Sequence, residues 1–122
     1  MSIQATIPDP SYSNVRRWRR YKLDVPVRLI VSKENKVSIV QGRGNELNDG
    51  GMAVFAGVEL RIDETVSIEF TPPYTGQPIR VRGRVCDRDG YRYGIEFLLE
   101  TEDDRESVGQ LRAVLAGMGT RI

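Results

Sequence analysis

The sequence predicts a mainly β fold, a small antiparallel barrel or sandwich with a single helix at its C-terminal end. Three observations predict it. Apolar and polar residues alternate with period two from residue 25 to about residue 99. The links between alternating stretches are short and rich in turn formers, among them Asn48-Asp49-Gly50-Gly51 and Asp89-Gly90. After Thr101 the period changes to that of a helix.

Residues 1–14 contain two prolines, three serines and little apolar periodicity, and they read as a flexible tail. In the first strand Val25, Val27, Leu29 and Val31 share a face, and Pro26, which lacks an amide donor, belongs near a strand start or on an edge. Ser32–Lys36 is a polar turn, and a second strand from about Val37 to Leu47 is loosened by Gly42 and Gly44. The Asn48–Gly51 turn leads to a short strand carrying Met52 and Val54. Val66, Ile68 and Phe70 mark a fourth strand, followed by a loop dense in breakers from Thr71 to Pro78. Ile79, Val81, Gly83 and Val85 then alternate with Arg80, Arg82, Arg84 and Cys86. The Asp89-Gly90 hairpin leads into Tyr91, Tyr93, Ile95 and Phe97. Thr101 caps a helix over about 102–117 with Asp104 three residues on, and Val108, Leu111, Val114, Leu115 and Met118 form its apolar stripe. Gly117 and Gly119 are expected to end it.

A chain of 122 residues is one domain with one modest core. Its 18 basic and 17 acidic residues nearly balance, which argues against a bulk polyanion binder such as a nucleic-acid protein. The charge is nonetheless uneven: residues 1–30 hold six basic and two acidic residues, and residues 96–122 hold three basic and six acidic. With no histidine and one cysteine, Cys86, the chain lacks a Ser-His-Asp triad, a Cys/His metal site and an internal disulfide. Nothing points to an enzyme, a metal or a cofactor. The absence of a leader-like or membrane-spanning stretch makes a cytoplasmic setting the expectation, with no membrane contact.

One stretch stands apart from the strands. Arg16, Arg17, Trp18, Arg19 and Arg20 place four guanidinium groups before the first strand, with Asp24 the nearest acid. Guanidinium forks suit phosphate oxygens and the O6/N7 edge of guanine, so this arm is either a ligand clamp or a solvated basic linker. The outward arginines Arg80, Arg82 and Arg84 are expected to pair with cross-strand acids such as Glu69 and Glu96.

The R-x-x-x-R spacing of Arg16 and Arg20, the turn Glu46-Leu47-Asn48-Asp49-Gly50-Gly51-Met52, and the late strand Tyr93-Gly94-Ile95-Glu96-Phe97 followed by a helix occur in an order that resembles the PilZ domain. PilZ domains are bacterial receptor modules for cyclic di-GMP. The resemblance covers about residues 15–118 and implies a small antiparallel β-barrel of about six strands, carrying a flexible N-terminal arm (15–22) and one C-terminal helix within a domain spanning 15–119.

The resemblance also implies a site. The family's R-x-x-x-R falls on Arg16 and Arg20, and its D/N-x-S-x-x-G falls on Glu46, Asn48 and Gly51, with Glu46 and Asn48 departing from the usual Asp/Asn and Ser. The arginines would meet phosphates and guanine Hoogsteen edges, each bidentate pair worth roughly 1–3 kcal/mol of base discrimination. Arg17, Trp18, Arg19 and Arg84 are supporting candidates. Glu46 keeps the carboxylate that accepts from guanine N1/N2 but carries it one methylene further out. Asn48 is bulkier than serine and also suits a turn without any ligand. The implied function is a non-enzymatic second-messenger receptor acting through arm ordering on a protein partner in a signalling pathway. The alternatives are a PilZ domain that has lost ligand binding and serves as a protein-interaction module, and a small barrel that binds single-stranded nucleic acid, against which the near-neutral charge argues.

Overall fold

The computed structural model describes residues 21–72 and 76–120, with side chains to residue 117 in the last helix. Arg16, Arg17, Trp18, Arg19 and Arg20 lie outside the described residues, as does Tyr74 in the breaker-rich loop. The order of elements is β1 (Tyr21–Lys33), β2 (Lys36–Leu47), β3 (Gly51–Ala56), β4 (Thr65–Phe70), β5 (Ile79–Asp89), β6 (Arg92–Phe97) and α1 (Glu102–Thr120). The six strands close into an antiparallel barrel in the order β1-β2-β3-β6-β5-β4.

The alternation that predicts the strands also fills the barrel. Val27, Leu29, Val54, Val66, Ile68, Val81, Val85 and Ile95 are buried on its inner face. Fully burying such a side chain stabilises by roughly 1.5–3 kcal/mol, so this shared face dominates the fold. Tyr93 is fully buried with them, and its hydroxyl is satisfied twice. It donates to the Val58 carbonyl at 2.7 Å and accepts from the Leu60 amide at 3.1 Å, which holds the β3–β4 connection to the barrel with Leu60 in the core.

Helix α1 lays Val108, Leu111 and Leu115 into the same core. Its start is a reciprocal cap: the Asp104 amide donates to Thr101 Oγ1 at 3.0 Å, and Asp104 Oδ2 accepts from the amides of Thr101 and Glu100 at 3.1 Å. Asp104 is buried, and Arg82 on β5 reaches it at 3.1 Å, so one carboxylate both caps the helix and ties it to the barrel.

Four local expectations are corrected. β1 begins at Tyr21, so residues 21 and 22 of the expected arm are strand, because Tyr21 and Lys22 ladder with Leu47 and Glu46. Gly42 and Gly44 do not loosen β2: a Cβ at Gly42 would meet the Phe55 carbonyl and one at Gly44 the Met52 side chain, so they permit close packing. Tyr91 lies in the β5–β6 turn beside Gly90, which takes the positive φ, and is exposed rather than sharing the face of Tyr93. The helix runs through Gly117 and Gly119 to Thr120, since neither glycine adopts the left-handed conformation that a glycine cap uses.

Candidate ligand-binding site

Four elements converge where the chain enters the barrel. Tyr21 and Lys22 of β1 pair with Leu47 and Glu46 of β2, and Glu46 and Leu47 pair in turn with Ala53 and Met52 of β3. Helix α1 closes the third side. The Tyr21 hydroxyl donates to the Leu115 carbonyl at 3.1 Å, and Arg112 Nε donates to the Asp49 carbonyl at 3.2 Å.

The turn between β2 and β3 is organised by its own polar groups. Asn48 Oδ1 accepts from the Gly50 amide at 2.7 Å, and the Asn48 amide donates to the Gly51 carbonyl at 3.0 Å. The Gly50 carbonyl accepts from the Phe97 amide at 2.9 Å, which joins the turn to the end of β6. The oxygen of Asn48 is therefore spent on the turn, as expected of an Asx turn. Gly51 is required by packing as well: a Cβ there would collide with the Ile95 carbonyl of β6.

Glu46 points outward from β2 and stays partly exposed, with Oε1 3.8 Å from Arg92 Nη2 on β6. Arg92 lies cross-strand from Phe55, which in turn lies cross-strand from Arg43. Arg43 is held by Asp24, its Nε donating to Oδ1 at 2.8 Å. Next to Glu46, at the β2–β3 bulge, Asn45 Oδ1 is buried with no hydrogen-bond partner among the described residues.

The outward arginines Arg28, Arg80, Arg82 and Arg84 are taken by acids, as the outward alternation predicts. Arg28 and Arg80 share Glu69, and Arg82 meets Asp104 and Glu100. Arg84 Nη2 donates to Glu96 Oε1 at 2.8 Å, and that hydrogen bond and charge raise the guanidinium pKa above its ordinary value. Arg84 sits two strands from Gly51, with Glu96 between them in one cross-strand row.

Of the residues picked out in the sequence, the structure brings Glu46, Asn48 and Gly51 together at one end of the barrel, with Arg84 two strands away in the row of Gly51. Sequence reasoning missed Phe55 and Asn45, and it placed Arg92 near the hairpin among arginines of a solvated outer face without linking it to Glu46. The signals available were an exposed aromatic in a short strand and an arginine after a hairpin; their nearness to Glu46 depends on β6 lying beside β3. Tyr93 and Phe97 are core residues, so they form no exposed stacking face. Among the described residues no cluster of acids or cysteine is placed to hold a metal, and no helix is long and apolar enough to cross a membrane.

Comparison with known proteins adds the following. A family model described as the PilZ domain matches residues 14–113. The PilZ domain of CeSA from a cellulose-synthesizing bacterium superposes with a TM-score of 0.62 at 21% identity, over 80% of this chain and 98% of that one. MrkH of K. pneumonia, solved as a complex with c-di-GMP, superposes with a TM-score of 0.59 at 15% identity, over 87% of this chain and 54% of that one. The Bacillus subtilis inhibitor of motility, MotI/DgrA, gives 0.55 at 17% identity over 83% and 51%. The chain therefore spans about half the length of the last two, and at these identities the likeness is one of fold. No curated protein matches it.

Proposed function

The chain belongs to the PilZ domain family, and on that premise we propose that it is a non-enzymatic receptor for cyclic di-GMP, clamped between the arginine arm and the Glu46–Gly51 wall. The observation that carries this reading is the ladder of Tyr21 and Lys22 with Leu47 and Glu46. It fixes the root of the arm against the wall. Arg20 precedes Tyr21 directly and Arg16 lies four residues further back. At about 3.3–3.6 Å per extended residue, both guanidinium groups can reach a ligand lying on that wall. Arg17, Trp18 and Arg19 come within the same reach and supply further phosphate or stacking contacts.

In this reading the barrel is a rigid wall and the arm orders over the ligand, at an entropic cost that the phosphate and guanine contacts must exceed. The ordered arm presents a new surface to a protein partner, in the cytoplasm. MrkH has been seen with c-di-GMP bound, which supports the ligand class.

A second reading has its own support. Asn48 Oδ1 is used by the Gly50 amide and Glu46 faces Arg92, so both departures from the family pattern have internal partners. That arrangement suits a domain that has given up the nucleotide and acts through protein contacts alone. Titration calorimetry with cyclic di-GMP at low salt separates the two. Saturable heat at tens of micromolar protein supports the receptor, and its absence leaves the interaction module.

A further inference from the structure

The outer wall of β2, β3 and β6 carries two adjacent cross-strand rows. One is Arg43–Phe55–Arg92 and the other is Glu46–Ala53–Gly94. Successive residues on one face are about 6.6 Å apart along a strand, so the second row lies directly beside the first. Ala53 and Gly94 contribute at most a methyl group to this row, and the Asp87 carboxylate of β5 lies over Gly94, accepting from its amide at 3.1 Å. Ala53 faces outward yet is only 8% exposed, so the surface here is presented by the side chains around it rather than by Ala53 itself. Phe55 is 44% exposed, an aromatic side chain left to solvent between the two arginines of its row.

We propose that Glu46, Arg92 and Phe55 together form a reader for one guanine base, with Arg92 as a specificity-determining contact and Phe55 as the stacking surface. The proposal rests on the receptor reading and deepens it. On guanine, the acceptors O6 and N7 lie next to the donors N1–H and N2–H₂. A carboxylate and a guanidinium side by side match that order, the carboxylate accepting from N1 and N2 while the guanidinium donates to O6 and N7. The 3.8 Å separation of Glu46 Oε1 and Arg92 Nη2 sets such a pair side by side. Adenine reverses the pattern, with a donor at N6 and an acceptor at N1, so it opposes both groups.

The same pair explains how the site stands without ligand. Glu46 and Arg92 face each other, so neither charge is left alone at the half-exposed wall. A long, solvent-screened ion pair of this kind is weak, so both groups can turn their free atoms to the edge of a base at little cost. Phe55 then supplies the face on which the base lies, a contact that any base can use. Discrimination belongs to Arg92 and Glu46, and Phe55 adds affinity without it.

The test is calorimetric titration of the full chain with cyclic di-GMP and, separately, cyclic di-AMP. Arg92→Ala is expected to weaken cyclic di-GMP binding about tenfold or more while leaving the weaker cyclic di-AMP binding unchanged, so that the ratio narrows. Arg92→Lys, which keeps the charge but not the fork, recovers only part of the loss. Phe55→Ser weakens both dinucleotides alike. Apo melting curves matching the wild type show that these exposed substitutions leave the fold intact, and Arg92→Lys carries the test if Arg92→Ala does not fold. A wild-type chain that binds while Arg92→Ala binds equally well, or loses both ligands in equal measure, overturns this inference alone. A wild-type chain that gives no heat overturns the receptor reading and this one with it.

Discussion

The Tyr21 hydroxyl donates to the Leu115 carbonyl at 3.1 Å, so the first residue of β1 is tied to the final turns of α1, 94 residues away in sequence. The arm thus departs from a point held on two sides, by the β2 ladder and by the helix. That matters for a clamp: the more firmly its root is fixed, the less freedom remains to be lost when it closes. Tyr21→Phe is expected to lower apo stability by about 1 kcal/mol, the usual worth of one such hydrogen bond, read by urea denaturation. An unchanged midpoint would mean the bond does not hold in solution.

Arg16→Ala and Arg20→Ala should each abolish measurable cyclic di-GMP binding without moving the apo melting temperature, because the barrel closes through strand pairs among residues 21–97. Calorimetry and thermal melts together read this. A clear drop in apo melting would make the arm a structural element instead.

Restoring the family's usual residues should tighten binding. In Glu46→Asp with Asn48→Ser, aspartate draws the carboxylate back by one methylene and away from Arg92, and the smaller serine clears the wall. The serine hydroxyl can still accept from the Gly50 amide, so the turn survives. Weaker binding in the double variant would show that the native pair is tuned to its ligand as it stands.

Gly51→Ala tests the fold and the site separately. Its Cβ would strike the Ile95 carbonyl, a backbone atom of a central strand that cannot swing aside. A loss of about 1–3 kcal/mol in the apo protein is expected, before any ligand is added. Wild-type stability with impaired binding would assign the glycine to the ligand alone.

Cys86 gives a prediction in pH. Cys86 is exposed at the surface, yet partial desolvation of its sulfur pushes the thiol pKa up and the nearby charges of Asp87 and Glu96 add to the effect, while a backbone hydrogen bond and Arg84 oppose it. The thiolate is the reactive form, so alkylation by iodoacetamide should be slower in the folded protein than in urea at neutral pH. Its rate should rise through a midpoint above that of the unfolded chain. A folded-state midpoint at or below the unfolded one would contradict this environment, which lies where the β5–β6 register shifts between Val85 and Asp87.

Much of the fold was legible because the relevant signals are local. Period two in Val66-Ile68-Phe70 and Ile79-Val81 reports which face is buried, whatever the strand pairs with. The cap formed by Thr101 and Asp104 is likewise set by residues three apart, and the structure contains it as expected. The glycines misled because a glycine permits several conformations and dictates none. Gly117 and Gly119 stay helical, and Gly42 and Gly44 serve packing against β3 rather than a break in β2.

By itself, then, the sequence determined the strand faces, the helix start and the Glu46–Gly51 turn, since each follows from neighbours a few residues apart. It also carried the motif order that marks the PilZ domain. Only the tertiary structure decided what stands beside Glu46. The partner is Arg92, 46 positions on, and the two meet because β6 inserts beside β3 in the closed barrel rather than following in chain order. Strand alternation is blind to that choice: any outward residue of any strand satisfies the same period, and closure of the barrel selects which outward residues become neighbours.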